Sequence, residues 1–471
     1  MPLMPRWLRT KPPPISRRHS LVPSVVALTL LVRAAMSWLS PHKMASCLSL
    51  SQPFDARLAS GIFPPQRIPL RIDGSPSSPR VLAKKLIAIA HAPSYSVGVR
   101  LLKELGDVEI SARGLNKTAA RIGAEMVEER DIQTEWYFQQ PLPRQAIPPK
   151  TPMALACVSV DGGRMQTRDE GGGRGVHNPH WRETKNSLFM RMSGIAFTQD
   201  PHPCLPACFA DRKSMKTLLS GVFPEEGTGE DAASIDESVT ESWRPERLFR
   251  TCLSSLCDSN EFGRMMQVEA DLRGFYRAQK KAFVCDGLLY NWTIQQRHFK
   301  DFTAILDFIH VVEKLYTASR CVNDEAAVWH DYLQWVEACW QGKVCQVIVQ
   351  LQERQQQIGR PPDNAEKTDP RKVLAGIIGY LQNNQSRMNY PDYRQNGLPV
   401  TSAHMESFVK ELNHRVKGTE KFWDDGASGE VILQIRAAAL CDDDRLVRFL
   451  ANRPGHPFHP NVQRTPLATA S

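Results

Sequence analysis

The sequence predicts an α/β core that is interrupted by an all-helical insertion and preceded by a small helical region. Short apolar runs at 154–160, 281–285 and 303–306 are typical of buried strands, and an aspartate follows each of them. From 309 to about 387 the apolar residues recur at helical spacing instead. A chain of 471 residues has room for roughly two to four domains, so separate parts of it can hold these patterns.

Composition and charge exclude several classes of protein. With 42% hydrophobic and 23% charged residues the chain is close to the globular average, which excludes collagenous, coiled-coil and wholly disordered proteins. The net charge of +9 is unevenly spread, because residues 1–100 hold 14 Lys and Arg against two Asp. That stretch is therefore +12 and the rest of the chain is −3. A basic end on a near-neutral body is typical of a segment that meets nucleic acid or a membrane surface.

The predicted order of segments follows from shifts in composition and period. It comprises a disordered basic N-terminal extension at 1–78, a helical DNA-binding region at 79–138, a Pro-rich linker at 139–152, the α/β core at 153–308 with an acidic insertion at 224–242, a helical insertion at 309–396, C-terminal helices that complete the core at 397–452 and a flexible tail at 453–471. Within the helical region we expect three short helices with turns at Gly106-Asp107 and Gly114. Their rhythm is typical of a helix-turn-helix, and an ordinary helical bundle explains it equally well.

Cysteine usage and the N-terminal segment bear on the compartment. The eleven cysteines are scattered without a C-x-x-C pair, which favours a reducing, cytoplasmic environment. The apolar run from Val22 to Leu39 resembles the h-region of a signal peptide, but Arg33 interrupts it. It is also shorter than the roughly 20 uncharged residues that a membrane span requires. We therefore expect no membrane partner and interpret the N terminus as atypical.

Three acidic residues stand where a ligand site is expected. Asp161 and Asp286 each end a predicted strand and precede glycine, and Glu406 lies in the first turns of a later helix. Ligands of open α/β sheets bind at the carboxyl ends of strands. Carboxylates brought together there repel one another, and two Mg²⁺ ions about 3.5–4 Å apart would relieve that repulsion and act on a phosphodiester. Taken singly, each aspartate is more simply a turn residue at a strand end.

Four stretches of sequence resemble a known family. They are VSVDGGRMQTR at 158–168, FVCDGLLYNW at 283–292, AILDFIHVVEKLY at 304–316 and GLPVTSAHMESFVKELNHRVKGTEKFW at 397–423. With them the chain resembles bacterial insertion-sequence DDE transposases of the Mutator-like type, over about Pro79 to Leu446. The resemblance implies an RNase H-like catalytic core. It also implies that Asp161, Asp286 and Glu406 are the catalytic residues and hold two Mg²⁺ (or Mn²⁺) ions.

A second acidic motif supplements this triad. Asp307 and His310 match the family's Asp/Cys-x-x-His signature, so the resemblance implies that they orient the active site or a substrate phosphate. Asp307 is also the rival of Asp286 for the second metal position. We prefer Asp286 because a glycine follows it. His310 has a simpler interpretation as a hydrogen-bonded core histidine.

Basic and aromatic residues near the triad are candidates for contact with DNA. Arg415, Lys417, Lys421 and Trp423 could grip a DNA backbone and stack an unpaired base, although a charge cluster at a helix end explains the same residues. Arg164 and Arg168 follow the first aspartate and either neutralise DNA phosphates or form a solvated hairpin face.

The function that the resemblance implies is cleavage and strand transfer of an insertion sequence. The expected partners are the terminal inverted repeats, the target DNA and further copies of the chain in the DNA complex, in the cytoplasm and associated with the nucleoid. The alternative is a catalytically inactive or repurposed transposase-derived DNA-binding protein. A third interpretation is an RNase H-like nuclease that acts on another nucleic acid.

Overall fold

The computed structural model describes residues 79–142, 153–168, 180–215, 243–322, 325–418 and 421–453. All of them belong to one compact unit, which begins at Ser75. The predictions of an extension at 1–78 and of an acidic insertion at 224–242 lie outside the described residues. The predicted tail does too, apart from Arg453, whose guanidinium donates to both carboxylate oxygens of Glu125 at 2.8 and 2.9 Å.

Five strands of the described residues form one mixed sheet. They are β1 (Leu155–Thr167), β2 (His180–Met192), β3 (Arg247–Ser255), β4 (Lys280–Cys285) and β5 (Thr303–Leu306), in the spatial order β3-β2-β1-β4-β5. β1, β2 and β3 form an antiparallel meander, whereas β1, β4 and β5 run parallel. Such a sheet surrounded by helices is an α/β architecture, compatible with the predicted RNase H-like core.

Helices surround this sheet, and they also make up the segment of chain between β5 and Glu406. In the described residues they are α1 (Pro79–His91), α2 (Tyr95–Gly106), α3 (Ala112–Gln139), α4 (Ala207–Ala210), α5 (Ser259–Leu272), α6 (Leu289–His298), α7 (Phe308–Val322), α8 (Glu325–Trp340), α9 (Val344–Ile358), α10 (Pro370–Asn384), α11 (Tyr390–Gln395), α12 (Ala403–Val416), α13 (Gly426–Ala439) and α14 (Arg445–Asn452). Short 3₁₀ turns follow α5 and α10.

The N-terminal helices pack directly onto the C-terminal ones. α1 and α3 both contact α13, which in turn lies against β3 and β1. Gly123 of α3 faces Val431 of α13 so closely that the two backbones leave no room for a Cβ atom. Arg436 of α13 also donates to the carbonyl oxygen of Ala90 at 2.9 Å. The helical region at 79–139 is therefore continuous with the core in its packing.

Several element boundaries differ from the prediction. The third N-terminal helix is 28 residues long rather than short, and Gly114 lies inside it, where the cap is the side chain of Ser111. α3 also extends to Gln139, into the predicted linker. α5, at Ser259–Leu272, begins where Asp258 caps it by accepting from the amides of Asn260 and Glu261.

β1 does not end at Asp161 as its sequence suggests. The strand continues through Gly162 and Gly163 to Thr167 with β2 as its antiparallel partner. A Cβ atom on Gly163 would lie 2.6 Å from Thr184 Oγ1 and 2.9 Å from Asn186 Nδ2, so glycine is required by close cross-strand packing. The Asp-Gly-Gly sequence is thus strand interior.

The helical insertion has an aromatic core of its own that joins the sheet. The ring of Phe308 lies 4.8 Å from that of Trp340 and 4.9 Å from that of Tyr390, both edge to face. The buried guanidinium of Arg394 stacks 4.0 Å from the Trp340 ring and pairs with Asp200. None of the helices in the described ranges combines the length and apolarity that crossing a bilayer requires.

Candidate active site

Three aspartates stand side by side at one edge of the parallel strands. The parallel pairing of β1 with β4 ends one residue before Asp161 and Asp286, and that of β4 with β5 ends one residue before Asp286 and Asp307. Neighbouring strands lie about 4.8 Å apart, so these residues form a short row across β1, β4 and β5. The sequence therefore brings three carboxyl groups to the carboxyl ends of adjacent strands.

Asp161 is the member of the row on the central strand. Its Oδ1 accepts a hydrogen bond from the amide of Gly162 at 2.7 Å. Burial and, after it, the negative charge of Asp286 raise the pKa of Asp161 to about 7, while His310 opposes the shift. The carboxyl group is therefore held where ionisation is costly in the absence of a cation.

Asp286 occupies the turn between β4 and α6. Its Oδ1 accepts from the amide of Leu288 at 3.0 Å and from Asn291 Nδ2 at 2.8 Å. The hydroxyl of Tyr380 donates to its backbone carbonyl at 2.8 Å. Gly287 follows with φ of 91°, a left-handed conformation in which a Cβ atom would also meet Tyr380 at 2.9 Å. The glycine allows the turn that orients Asp286.

Asp307 is completely buried, and hydrogen bonds occupy both of its oxygens. Oδ1 accepts from the amides of Ile309 and Ser402 at 3.1 and 3.0 Å, and Oδ2 accepts from the hydroxyl of Ser402 at 2.6 Å. Burial raises its pKa, and His310 and Ser402 oppose that rise. Asp307 thus fastens the start of α12 to the end of β5.

His310 lies in the first turn of α7, as predicted. Its Nε2 is 3.6 Å from Oδ2 of Asp307, and the ring is mostly buried. A protonated imidazole here would face both Asp307 and Asp161, since it lowers the pKa of each. His310 is accordingly in contact range of Asp307, and its charge acts on both Asp307 and Asp161.

Glu406 reaches the same region from α12. Its Oε1 is buried and has no hydrogen-bond partner among the residues that the structure describes. Burial, together with the charges of Asp307 and Asp161, raises the pKa of Glu406 to about 8, and Lys410 opposes the shift. A buried carboxylate oxygen without a donor is rare in native proteins and calls for a ligand or a proton.

The carboxyl groups are neighbours without forming a closed cage. Among the residues that the structure describes, no three His, Cys, Asp or Glu side chains are grouped closely enough to hold a metal ion. Asp161, Asp286 and Glu406 nonetheless influence one another electrostatically, because Asp161 responds to Asp286 and Glu406 responds to Asp161. The arrangement is an array of oxygen donors that repel each other.

The two arginines after Asp161 differ in environment. Arg164 is exposed and lies opposite Glu183 in the β1–β2 register. Arg168 is half-buried, pairs with Asp424 and donates its backbone amide to the carbonyl of Trp423 at 2.9 Å. Arg164 is open to solvent, whereas Arg168 ties β1 to the segment after α12.

Arg415 has a structural role in place of the predicted contact with DNA. Its side chain is buried, donates through Nε to the carbonyl of Ile89 at 2.9 Å and packs between the rings of Tyr95 and Trp423. The apolar face of α12 turns this residue inward at the helix end, so it joins α12 to α1.

The other basic and aromatic residues of this segment are divided between structure and surface. Trp423 is half-buried and donates its indole N–H to the carbonyl of Val416 at 2.9 Å. Lys421 donates to the carbonyl of His414 at 2.9 Å. Lys417 is exposed, and its ammonium lies 5.8 Å from the ring centre of Trp181. Lys417 is thus the residue of this segment that faces solvent most openly.

Two residues that orient the site escaped the sequence analysis. Ser402 holds both oxygens of Asp307, and Tyr380 holds the backbone of Asp286 from within the helical insertion. Ser402 stands directly before a helix, a position typical of a cap, which was the available signal. Nothing in the sequence near Tyr380 distinguishes it from a core tyrosine.

Comparison with known proteins gives little further information. No family model and no curated protein matches the sequence. Among solved structures, the Drosophila P element transposase strand transfer complex matches with 9% identity and a TM-score of 0.31, over 82% of this chain and 97% of that one. The chain therefore has a remote structural likeness to one transposase, at a level that carries no argument about its activity.

Proposed function

We propose that the chain is a DDE transposase of the bacterial insertion-sequence type, which cleaves and transfers DNA strands with divalent metal. The observation that carries the proposal is the row of carboxylates at the ends of β1 and β4, together with the unpartnered Oε1 of Glu406. The charge of Asp286 raises the pKa of Asp161, and the charge of Asp161 raises the pKa of Glu406. Arrays of this kind occur at functional sites more often than in structural cores.

Asp161, Asp286 and Glu406 are the residues that would hold the metal. Carboxylate oxygens are the ligands that Mg²⁺ and Mn²⁺ prefer, and Glu406 Oε1 is a buried oxygen without a donor. Asp307 is less suited to the second position, because the amides of Ile309 and Ser402 and the Ser402 hydroxyl already occupy its oxygens. This favours Asp286, whose carboxyl group is only half-buried.

Each residue then has a distinct task. When bound, two divalent ions supply activation of a water or 3′-hydroxyl nucleophile and stabilisation of the leaving oxygen. Asp161 and Asp286 present oxygens from neighbouring strands, and Glu406 presents one from α12. Asp307 keeps α12 in register with the sheet through Ser402. His310 balances negative charge between Asp161 and Asp307.

The test is metal-dependent cleavage at the element's end. The full chain is incubated in Mg²⁺ with a duplex that spans the junction between the flanking DNA and the element, beside an EDTA control and Asp161→Asn. Nicking at the junction that is absent from both controls supports the proposal. Full cleavage by Asp161→Asn would overturn it.

A second candidate is a transposase-derived DNA-binding protein without catalysis. It is favoured by the lack of any closed group of three metal-binding side chains in the described part of the chain. This candidate predicts equal binding of terminal DNA in Mg²⁺ and in EDTA, with no nicking in either. Strand cleavage that requires Mg²⁺ excludes it.

A further inference from the structure

Two cysteines from distant parts of the chain face each other at the outer edge of the sheet. Cys252 is buried in β3, the edge strand, and Cys441 is half-buried in the connection between α13 and α14. The Sγ of Cys441 accepts from the amide of Cys252 at 3.2 Å and lies 3.6 Å from the carbonyl oxygen of the same residue. The Sγ of Cys252 lies 3.4 Å from the carbonyl oxygen of Leu440. Each sulfur therefore lies against the backbone at or beside the other cysteine.

The surrounding hydrogen bonds hold the two cysteines in this position. The amide of Asp442 donates to the carbonyl of Arg250 at 3.0 Å, and the amide of Arg250 donates to the Asp442 carboxylate at 2.9 Å. Arg250 also donates through Nε to the carbonyl of Leu440 at 3.1 Å. The connection thus follows β3 from Arg250 to Cys252, and the two thiols share a hydrogen bond across the contact. A disulfide requires such proximity, since its S–S bond spans only about 2.05 Å.

The two thiols differ in the way that disulfide formation requires. Burial raises the pKa of Cys252, so this residue keeps its proton. Burial acts in the same direction on Cys441, but the hydrogen bond with Cys252 and the charge of Arg445 outweigh it and lower the pKa of Cys441. The thiolate is the reactive form of cysteine, and Cys441 is also the more exposed of the two residues. Cys441 is therefore the nucleophile, and Cys252 is the thiol that reacts second.

We propose that Cys441 and Cys252 form a redox modification site, at which a hydroperoxide converts the two thiols into a disulfide. The Cys441 thiolate attacks the terminal oxygen of the peroxide, the O–O bond breaks, and hydroxide or alkoxide leaves, which gives a sulfenic acid at Cys441. The sulfur of Cys252 then attacks the sulfur of Cys441, and the hydroxyl group departs as water with the Cys252 proton. The sulfur pair loses two electrons and the peroxide gains them. A cellular thiol reverses the reaction by exchange, so the dithiol is the resting form in the reducing environment that the scattered cysteines indicate.

The disulfide joins parts of the fold that hydrogen bonds alone connect in the reduced chain. Cys252 and Cys441 are 189 residues apart, so the bond closes a long loop of the chain. Closing a long loop stabilises a protein mainly because it restricts the unfolded chain. The helix before Cys441 is α13, which contacts α1 and α3 as well as β3. Oxidation therefore fastens the edge strand to the helix on which the N-terminal helices pack, and we expect the oxidised chain to melt at a higher temperature.

The test treats the full chain with hydrogen peroxide, blocks the remaining thiols with iodoacetamide and maps the peptides by mass spectrometry. The wild type is expected to give a linked Cys252–Cys441 peptide pair, about 2 Da lighter than the two reduced peptides together. Its melting temperature should rise by about 4 °C or more, and dithiothreitol should reverse that rise. Cys252→Ser removes the second thiol, so dimedone should trap a sulfenic acid at Cys441. Cys345→Ser, at an exposed cysteine of α9, is the matched control and leaves the disulfide unchanged.

Three results would overturn the inference. Oxidation of the exposed Cys204 or Cys345 while Cys252 and Cys441 both remain thiols would show that exposure alone governs reactivity. Oxidation of Cys252 in Cys441→Ser as fast as in the wild type would show that Cys441 is not the nucleophile. A sulfenic acid that persists at Cys441 of the wild type without forming the disulfide would show that the fold keeps the two sulfurs apart. None of these results depends on whether the chain cleaves DNA, so they test this inference separately from the proposed function.

Discussion

Two glutamates on α12, five residues apart, are treated by the fold in opposite ways. Glu411 accepts two hydrogen bonds from Arg250, at 3.1 and 2.9 Å, and its backbone carbonyl accepts from Arg436 at 2.6 Å. Glu406 has a buried Oε1 without a partner, and burial with neighbouring negative charge raises its pKa to about 8. One helix therefore carries a carboxylate that the protein satisfies and another that it leaves unsatisfied.

The charge of Glu411 stabilises the fold, whereas ionisation of Glu406 lowers the stability of the fold. An ion pair with two hydrogen bonds joins α12 to β3 through Arg250 and needs no external ligand. A buried carboxyl group among other carboxyl groups lowers stability unless a proton or cation accompanies it. On this reasoning Glu406 belongs to a binding site and Glu411 to the framework.

The largest expected effect is on strand cleavage. Glu406→Gln should reduce Mg²⁺-dependent cleavage of the terminal duplex by about 1000-fold or more, because several kcal/mol of transition-state stabilisation depend on the bound metal. Glu411→Gln, assayed at a temperature where it remains folded, should stay within about threefold of wild type. Single-turnover cleavage rates measure both. Comparable losses of cleavage rate in the two variants would show that Glu406 and Glu411 do not differ in their roles.

The second largest effect is on the free energy of unfolding. Here the loss is expected at Glu411 and not at Glu406. Glu411→Gln should lower the free energy of unfolding by about 2 kcal/mol, since Arg250 is largely buried and loses its charged partner, while the partial exposure of Glu411 limits the loss. Urea denaturation of the metal-free protein at neutral pH gives this value. A neutral result would show that Asp442, 3.7 Å from Arg250 Nε, suffices as its partner.

Glu406→Gln should stabilise the metal-free protein at alkaline pH. The pKa of Glu406 is raised from 4.5 to about 8, so the native state favours the protonated form. Glu406 therefore does not lower the free energy of unfolding of the wild type below about pH 4.5. Above that pH the free energy of unfolding declines as the pH rises towards 8. The variant avoids this decline and should be about 1–2 kcal/mol more stable at pH 8, with no difference near pH 4. Denaturation curves at both pH values decide it, and destabilisation at pH 8 would contradict the assignment.

The smallest effect is stabilisation by metal. At ten times its dissociation constant, Mn²⁺ should stabilise the wild-type chain by about 1.4 kcal/mol. The increase in melting temperature should be absent from Asp161→Asn and retained in Glu411→Gln. Equal shifts in all three proteins would indicate binding elsewhere on the chain.

The strands that position the carboxylates were predictable from the sequence because they are continuous apolar runs. β4 and β5 occur within one residue of the predicted ranges. β3 was not predicted, because buried polar residues interrupt its pattern. Of these, Thr251 accepts from Arg273 and Ser254 donates to Asn186. Such partners come from distant parts of the chain and leave no local periodicity.

The candidate site was less accessible to sequence reasoning than the sheet. The strand pairing explains why Asp161, Asp286 and Asp307 come together. What distinguishes these aspartates is their hydrogen bonds, which depend on Ser402 and Asn291. Likewise, the sequence alone does not distinguish which charged residues at the end of a helix lie on the surface. The hydrogen bond of Arg415 to the carbonyl of Ile89 identifies it as interior, while Lys417, two residues later, is exposed.

The contact between Asp307 and Ser402 also determines how the chain tolerates change in length. The chain leaves the sheet after β5 and returns 95 residues later to a hydrogen bond with the residue at which it left. The amide of Phe308 donates to the carbonyl of Val400 at 3.0 Å beside it, so exit and re-entry are adjacent. Residues added or removed between these two points lengthen or shorten a closed loop, at a cost that grows only slowly with loop length. The position of α12 relative to the sheet is thereby fixed where the helical segment begins and ends, and within that segment the Tyr380 hydroxyl must still reach the carbonyl of Asp286.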